Sequence, residues 1–247
     1  MKRLVIALFA LLLMPLMVHA ATFAQLALGG GWEATLIVTN KTNSLWSGKI
    51  HARQGNDQRW NGAWSINSQD FTGADYMAFD LYARQTRKFI LRGDSIMRNG
   101  YLKVEGNAGF PTSNIAMSYV CQLFEGGRVV NTTGVGESKT GDRFVFPVEI
   151  GPAVQTGYAI SPHVVSSPFP IRLTLYDNSG YIYGSALMTF YGQFAEFIYQ
   201  RFPGVGNNFV GYALVEAQGI IGLEVSRMEY GVGWALFTAT PPDNDVP

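Results

Sequence analysis

Gly100-Tyr101-Leu102-Lys103-Val104-Glu105 recurs as Gly211-Tyr212-Ala213-Leu214-Val215-Glu216, so Gly-Tyr-x-x-Val-Glu stands once in each half of a 247-residue chain. The flanking segments correspond in order, with residues 35–40 ahead of the first copy matched by 156–161 ahead of the second. Internal similarity of this kind predicts one β domain made twice. In an extended strand Leu102 and Val104 share one face while Tyr101, Lys103 and Glu105 share the other. Ala213 and Val215 are likewise opposed to Tyr212, Leu214 and Glu216. The valine side is expected to face a core and the tyrosine-to-glutamate side to face water.

Outward from the first copy, segments 34–40, 46–52 and 115–124 are rich in branched or alternating apolar residues and are bounded by Gly, Asn and Ser, the pattern of short strands and turns. Gly29-Gly30-Gly31 before Trp32 reads as a turn or bulge entering a strand; no helix pattern follows, so a phosphate-cradling loop is not indicated. Glu125-Gly126-Gly127-Arg128 reads as a hairpin turn. Residues 79–92 read as strand, basic turn and strand. The Arg92-Gly93-Asp94 that closes them matches an adhesion tripeptide but is ordinary turn chemistry. In the second copy, 171–176 and 181–183 flank Asp177-Asn178-Ser179-Gly180 as the clearest hairpin, and this turn lacks the further acids of a calcium loop. Phe194, Phe197, Ile198 and Phe202 stand at helical spacing before Pro203-Gly204. They predict one short helix over 193–202 with its aromatic stripe in the core.

Lys2 and Arg3, an apolar run over 4–18 and the small-residue exit Val18-His19-Ala20 have the three zones of a secretory signal, with cleavage expected after Ala20. The run contains Pro15 and is short for a membrane span. An exported protein is expected, periplasmic, cell-surface or extracellular. The expected organisation is a signal over 1–20, a sandwich over 21–134, a linker over 135–142 that overlaps the weakly hydrophobic passage 131–141, a second sandwich over 143–240 and a loose tail over 241–247. The chain has 18 basic and 18 acidic residues, and loss of Lys2 and Arg3 leaves 18 − 2 = 16 basic against 18 acidic with no block of like charge. Nucleic acid and anionic membrane surfaces are poor partners for that balance. Cys121 is the only cysteine, so no disulfide staples either half, and it reads as a buried small hydrophobe. His51 and His163 are the histidines left after cleavage, which gives a metal site or a catalytic triad little to work with. No metal and no cofactor are expected.

Many short strands with Gly and Asn turns indicate an all-β chain of antiparallel sandwiches. Phe23-Ala24-Gln25, Gly29-Gly30-Gly31-Trp32, Thr35-Leu36-Ile37-Val38-Thr39-Asn40, Ala83-Arg84-Gln85-Thr86-Arg87, the passage 193–203 and Ala235-Leu236-Phe237-Thr238 together resemble a group of secreted two-domain Ig-like β-sandwich proteins of environmental bacteria. The resemblance spans nearly the whole mature chain and implies two tandem Ig-like sandwiches; it implies no activity. Lys41 in place of a proline and the tryptophan-rich stretch 46–64 depart from that pattern.

Trp46, Trp60 and Trp64, with Tyr76 and Tyr82 nearby, form the one constellation suited to binding. Exposed aromatic rings on a β surface stack on sugar faces or hold a protein partner; buried, the same rings are core. The function expected is an exported, non-enzymatic structural or interaction protein. The alternative is a carbohydrate-binding module using the tryptophan cluster, and the weaker one a secreted hydrolase using Glu105 or Asp80. A glycosidase needs two carboxyl groups in one cleft, whereas Glu105 and Glu216 belong to different copies.

Overall fold

A computed structural model describes residues 20–55, 58–71, 76–162, 168–231 and 234–240. The expected signal, apart from Ala20, and the expected loose tail lie outside the described residues. The first half carries β1 (Ala20–Leu28), β2 (Trp32–Asn40), β3 (Trp46–Gln54), β4 (Gln58–Arg59), β5 (Trp64–Ile66), β6 (Gln69–Asp70), β7 (Met77–Leu81), β8 (Thr86–Gly93), β9 (Arg98–Gly106), β10 (Ile115–Glu125) and β11 (Arg128–Val135). The second carries β12 (Lys139–Gly151), β13 (Val154–Pro162), β14 (Phe169–Asp177), β15 (Ile182–Phe190), β16 (Phe194–Phe197), β17 (Phe209–Gly231) and β18 (Trp234–Thr240).

The chain is all-β and sandwich-like. A five-stranded sheet runs β1-β9-β3-β4, with β7 also on β3, and a larger sheet runs β16-β13-β12-β17-β18-β11-β10-β2-β8-β5-β6, with β14 on β17 and β15 on β14. Pairing is antiparallel except where Thr133 and Gly134 of β11 meet Phe237 and Thr238 of β18 in parallel. That short ladder joins the halves in one hydrogen-bonded sheet. Buried apolar side chains nevertheless gather in two clusters. One holds Phe23, Leu36, Trp46, Phe89 and Leu102, and the other Phe144, Ile160, Leu173, Ile198 and Val215.

The two Gly-Tyr-x-x-Val-Glu strands are both central. Residues 100–105 of β9 lie between β1 and β3, and 211–216 of β17 lie between β12 and β14. Both glycines serve close approach. A Cβ on Gly100 would stand 2.0 Å from the Arg53 carbonyl oxygen, and one on Gly211 would stand 2.0 Å from that of Tyr176. Arg53 and Tyr176 are the residues paired with Tyr101 and Tyr212. Val104 and Val215 are buried as expected, but so is Tyr101, and β16 of the second half packs against β9.

Turn chemistry follows the sequence closely. Gly29, Gly30 and Gly31 all take positive φ, at 83°, 58° and 92°, and make the β1–β2 turn. β10 and β11 close at Glu125 and Arg128, β14 pairs β15, and Asp177 accepts from the amides of Ser179 and Tyr181 to fix that hairpin turn. Arg92-Gly93-Asp94 is held by its own surroundings, with Arg92 on Glu33 at 2.7 Å and Asp94 on Arg98 at 2.5 Å.

Two expectations are corrected. The passage 131–141 is mainly strand: β11 runs to Val135, β12 starts at Lys139 because β17 pairs it from there, and Ser138 between them ties down β1, donating its amide to the Thr22 carbonyl and accepting from Ala24 N at 2.7 Å. Low hydrophobicity did not mean slack chain. The helix expected over 193–202 is confined to Ile198–Arg201; Phe194–Phe197 is a strand, because the edge of β13 offers it a ladder.

Candidate functional site

The expected tryptophan platform is not formed. Trp46, Trp60 and Trp64 are only 1%, 4% and 2% exposed. Trp46 packs on Phe79 and donates its indole N–H to the Pro111 carbonyl at 3.1 Å, and Trp64 packs on Phe71. Close strand approach at glycine makes room for two of these rings: a Cβ on Gly48 would lie 2.2 Å from Trp46, and one on Gly100 would lie 2.8 Å from Trp60. The rings fill the space between sheets, where their large apolar area counts most. Tyr76 and Tyr82 do face water, at 41% and 71% exposure, but in different surroundings. Tyr82 sits in the β7–β8 turn, where its carbonyl accepts from the buried Asn40 side chain. The five residues therefore do not make one surface.

Tyr76 belongs to a charged cluster on the outer face of the smaller sheet. Lys49, His51 and Arg53 alternate along β3 opposite Glu105, Lys103 and Tyr101 of β9. His51 Nε2 lies 3.1 Å from Glu105 Oε2, Arg53 Nη2 donates to His51 Nδ1 at 3.0 Å, and Lys103 Nζ contacts Glu105 Oε1. Hydrogen bonding from His51 and then Lys103 outweighs burial and pulls Glu105 down to about 2. The Tyr76 ring rests on His51 at 5.5 Å and beneath Lys49 Nζ at 4.4 Å. His51 Nδ1 is occupied by Arg53 and Nε2 faces the Glu105 carboxylate, with no serine, threonine or cysteine among these partners to act as a nucleophile. Asp80, the other acid considered for hydrolysis, takes the Ser47 hydroxyl as its partner on β7.

A different site lies where the halves meet. β1 is bulged between Phe23 and Leu26, and bulges re-aim side chains. Here Gln25 reaches a cleft of about 290 Å³ whose walls also include Trp32, Asn99, Glu196, Tyr199 and Gln200. Trp32, directly after the three-glycine turn, packs partly on the first core and partly lines the cleft, and Gly30 in that turn donates its amide to the Asp94 carbonyl at 3.1 Å. Across the cleft, Tyr158 of β13 stands opposite Glu196 of β16. Its hydroxyl donates to Glu196 Oε1, and Arg201 grips both carboxylate oxygens at 2.8 Å. Burial, followed by the bond to Glu196, raises the Tyr158 phenol. Phe197, expected in the core, instead lines the cleft and stacks on Tyr199 at 5.6 Å and 13°.

The floor is unusual. Ser226 of β17 reaches the cleft, and Glu224, two residues away on the same strand face, is buried with no hydrogen-bond partner for either carboxyl oxygen. Burial pushes its pKa well above the carboxylate range; only the nearby Gln25 amide acts in the other direction. That burial favours the protonated, uncharged form of the Glu224 carboxyl. On β10 the Cys121 thiol donates to the Tyr119 hydroxyl at 3.1 Å and is pushed up to about 11, chiefly by burial.

Sequence reasoning pointed to none of Gln25, Asn99, Glu196 or Glu224. The one available signal was Trp32, set directly behind a glycine turn. Among the described residues no group of three His, Cys, Asp or Glu side chains is arranged to hold a metal ion, and no helix is long and apolar enough to cross a membrane. Comparison with protein families, with curated proteins and with solved structures returns no match.

Proposed function

We propose that this is an exported, non-enzymatic protein of two tandem Ig-like β-sandwiches that works by binding, and that the cleft between its halves is the binding surface. The observation that carries this reading is the composition of the cleft wall. Of the tryptophans whose side chains are described, Trp32 alone is not buried, and it stands among amide side chains beside an acid already committed to Tyr158 and Arg201. A carboxylate held by a bidentate arginine and a phenol is a positioning group, poorly placed to take or give a proton. The cluster at His51 and Glu105 supports the same reading, since Glu105 is paired with Lys103 and lies against His51, whose Nδ1 is taken by Arg53.

Cell fractionation with N-terminal sequencing tests the export claim, with a mature chain starting at Ala21 outside the cytoplasm as the expected result. Assay of the purified protein on chromogenic esters and glycosides tests the absence of turnover. Hydrolysis that disappears in Glu196→Gln or Glu105→Gln would overturn the non-enzymatic reading.

A further inference from the structure

The geometry points to a neutral saccharide as the ligand of the cleft between the halves, a proposal that rests on reading this cleft as the binding surface. Three features select that chemistry. Among the described lining residues Glu196 is the only charged one, and Arg201 compensates it. An anion or a cation would therefore find no opposite charge to replace its lost hydration.

The polar groups that remain are mostly amides and a hydroxyl: Gln25, Asn99, Gln200 and Ser226. Amides present a donor and an acceptor side by side, which suits vicinal hydroxyls. Gln200 Oε1 is taken by the Phe197 amide at 2.7 Å, which leaves its NH₂ to donate. The apolar part of the wall combines Met97, Ala27 and Ala195 with three aromatic rings, Trp32 on the first half and Phe197 and Tyr199 on the second. Such rings match the C–H face of a pyranose, while their polar tips tolerate water at the rim. The volume, about 290 Å³, lies at the small end of the usual range for small-molecule pockets and suits a short segment of a glycan.

The experiment is calorimetric titration of the full mature protein with neutral tetrasaccharides of the β-glucan, mannan and chitin types, paired with tryptophan emission. The expected result is saturable binding of at least one of them. Trp32→Ala weakens it about tenfold, the scale of one lost aromatic contact, and Asn99→Ala, an exposed position with little effect on folding, weakens it about threefold with an unchanged melting temperature. Binding that neither variant alters overturns the proposal by placing the sugar elsewhere. Lack of binding by the whole panel also overturns it, and acrylamide quenching of the emission that Trp32→Phe removes then separates two cases. If Trp32 is quenched, the cleft is open and the saccharide alone is wrong. If Trp32 is protected, the cleft is closed and the reading of it as a binding surface falls too.

Discussion

Glu105 and Glu216 hold the same place in the two Gly-Tyr-x-x-Val-Glu segments, and the structure uses them differently. Glu105 is drawn into a cluster with His51 and Lys103, on the same strand as the buried Tyr101. Glu216 lies on an open face, 3.7 Å from Arg143, next to a half-buried Tyr212 that stacks on Tyr176 at 4.7 Å. β9 also ends directly after its copy, at Gly106, whereas β17 runs on to Gly231 and carries Glu224 beneath β1. What the copies share is the backbone approach at Gly100 and Gly211 and the buried valine. The outward face was free to diverge, because it is set by whichever neighbour covers it.

The sharpest way to break this comparison is at the glycines. Gly100→Ala and Gly211→Ala should each destabilise by about 3 kcal/mol, the upper range for overpacking against atoms that cannot move away. Chemical denaturation of both variants checks it, and a large loss in only one would mean that the two approaches are not equivalent.

Next in size is Glu224, where the second strand outruns the first. Its raised pKa means that the folded chain keeps a proton that the unfolded chain releases once pH exceeds the ordinary glutamate range. Stability from this group is thus complete below about pH 4 and declines as pH rises. Glu224→Gln removes that dependence and is expected to stabilise the protein at pH 7 by up to about 3 kcal/mol, because holding a proton that the unfolded carboxyl releases costs about 1.4 kcal/mol per pH unit above its ordinary pKa. The gain should vanish at pH 4, as melting curves at the two pH values would show.

Glu105 has the opposite sign. Its pKa is depressed from 4.5 to about 2, so its contribution is present above pH 4.5 and is lost as pH falls toward 2. The carboxylate is partly open to water, so screening reduces the effect, and Glu105→Gln should cost about 1 kcal/mol at neutral pH. Glu216→Gln should change stability by less than about 0.5 kcal/mol, as expected of an exposed pair at long distance. Equal losses from the two substitutions would erase the difference drawn here between the copies.

Legibility in the sequence tracked how local each determinant is. The hairpin turn at Asp177 and the three-glycine turn depend on backbone angles and side-chain bonds within a few residues, and both were readable. The fate of Trp46, Trp60 and Trp64 was not, because an alternating strand shows which residues share a face but not which face another sheet covers. The stretch 193–202 misled for a related reason. Its apolar spacing fits a helix, yet the edge of β13 turns Phe194–Phe197 into a strand, and an available ladder outweighs modest local propensity. Glu196 could be noticed in the sequence as an acid, but its tie to Tyr158 exists only through that ladder.

By itself the sequence determined the all-β class, many strand and turn positions, and the glycine approach and buried valine of the two Gly-Tyr-x-x-Val-Glu strands. These follow from side-chain alternation and from the conformations that glycine and branched residues favour. The tertiary structure alone decided that Ser138 holds β1, that the β1 bulge brings Gln25 to the cleft, and that this cleft opens between the halves near a buried Glu224. Those outcomes depend on contacts between segments far apart in the chain, where burial and charge are fixed by what lies across the gap.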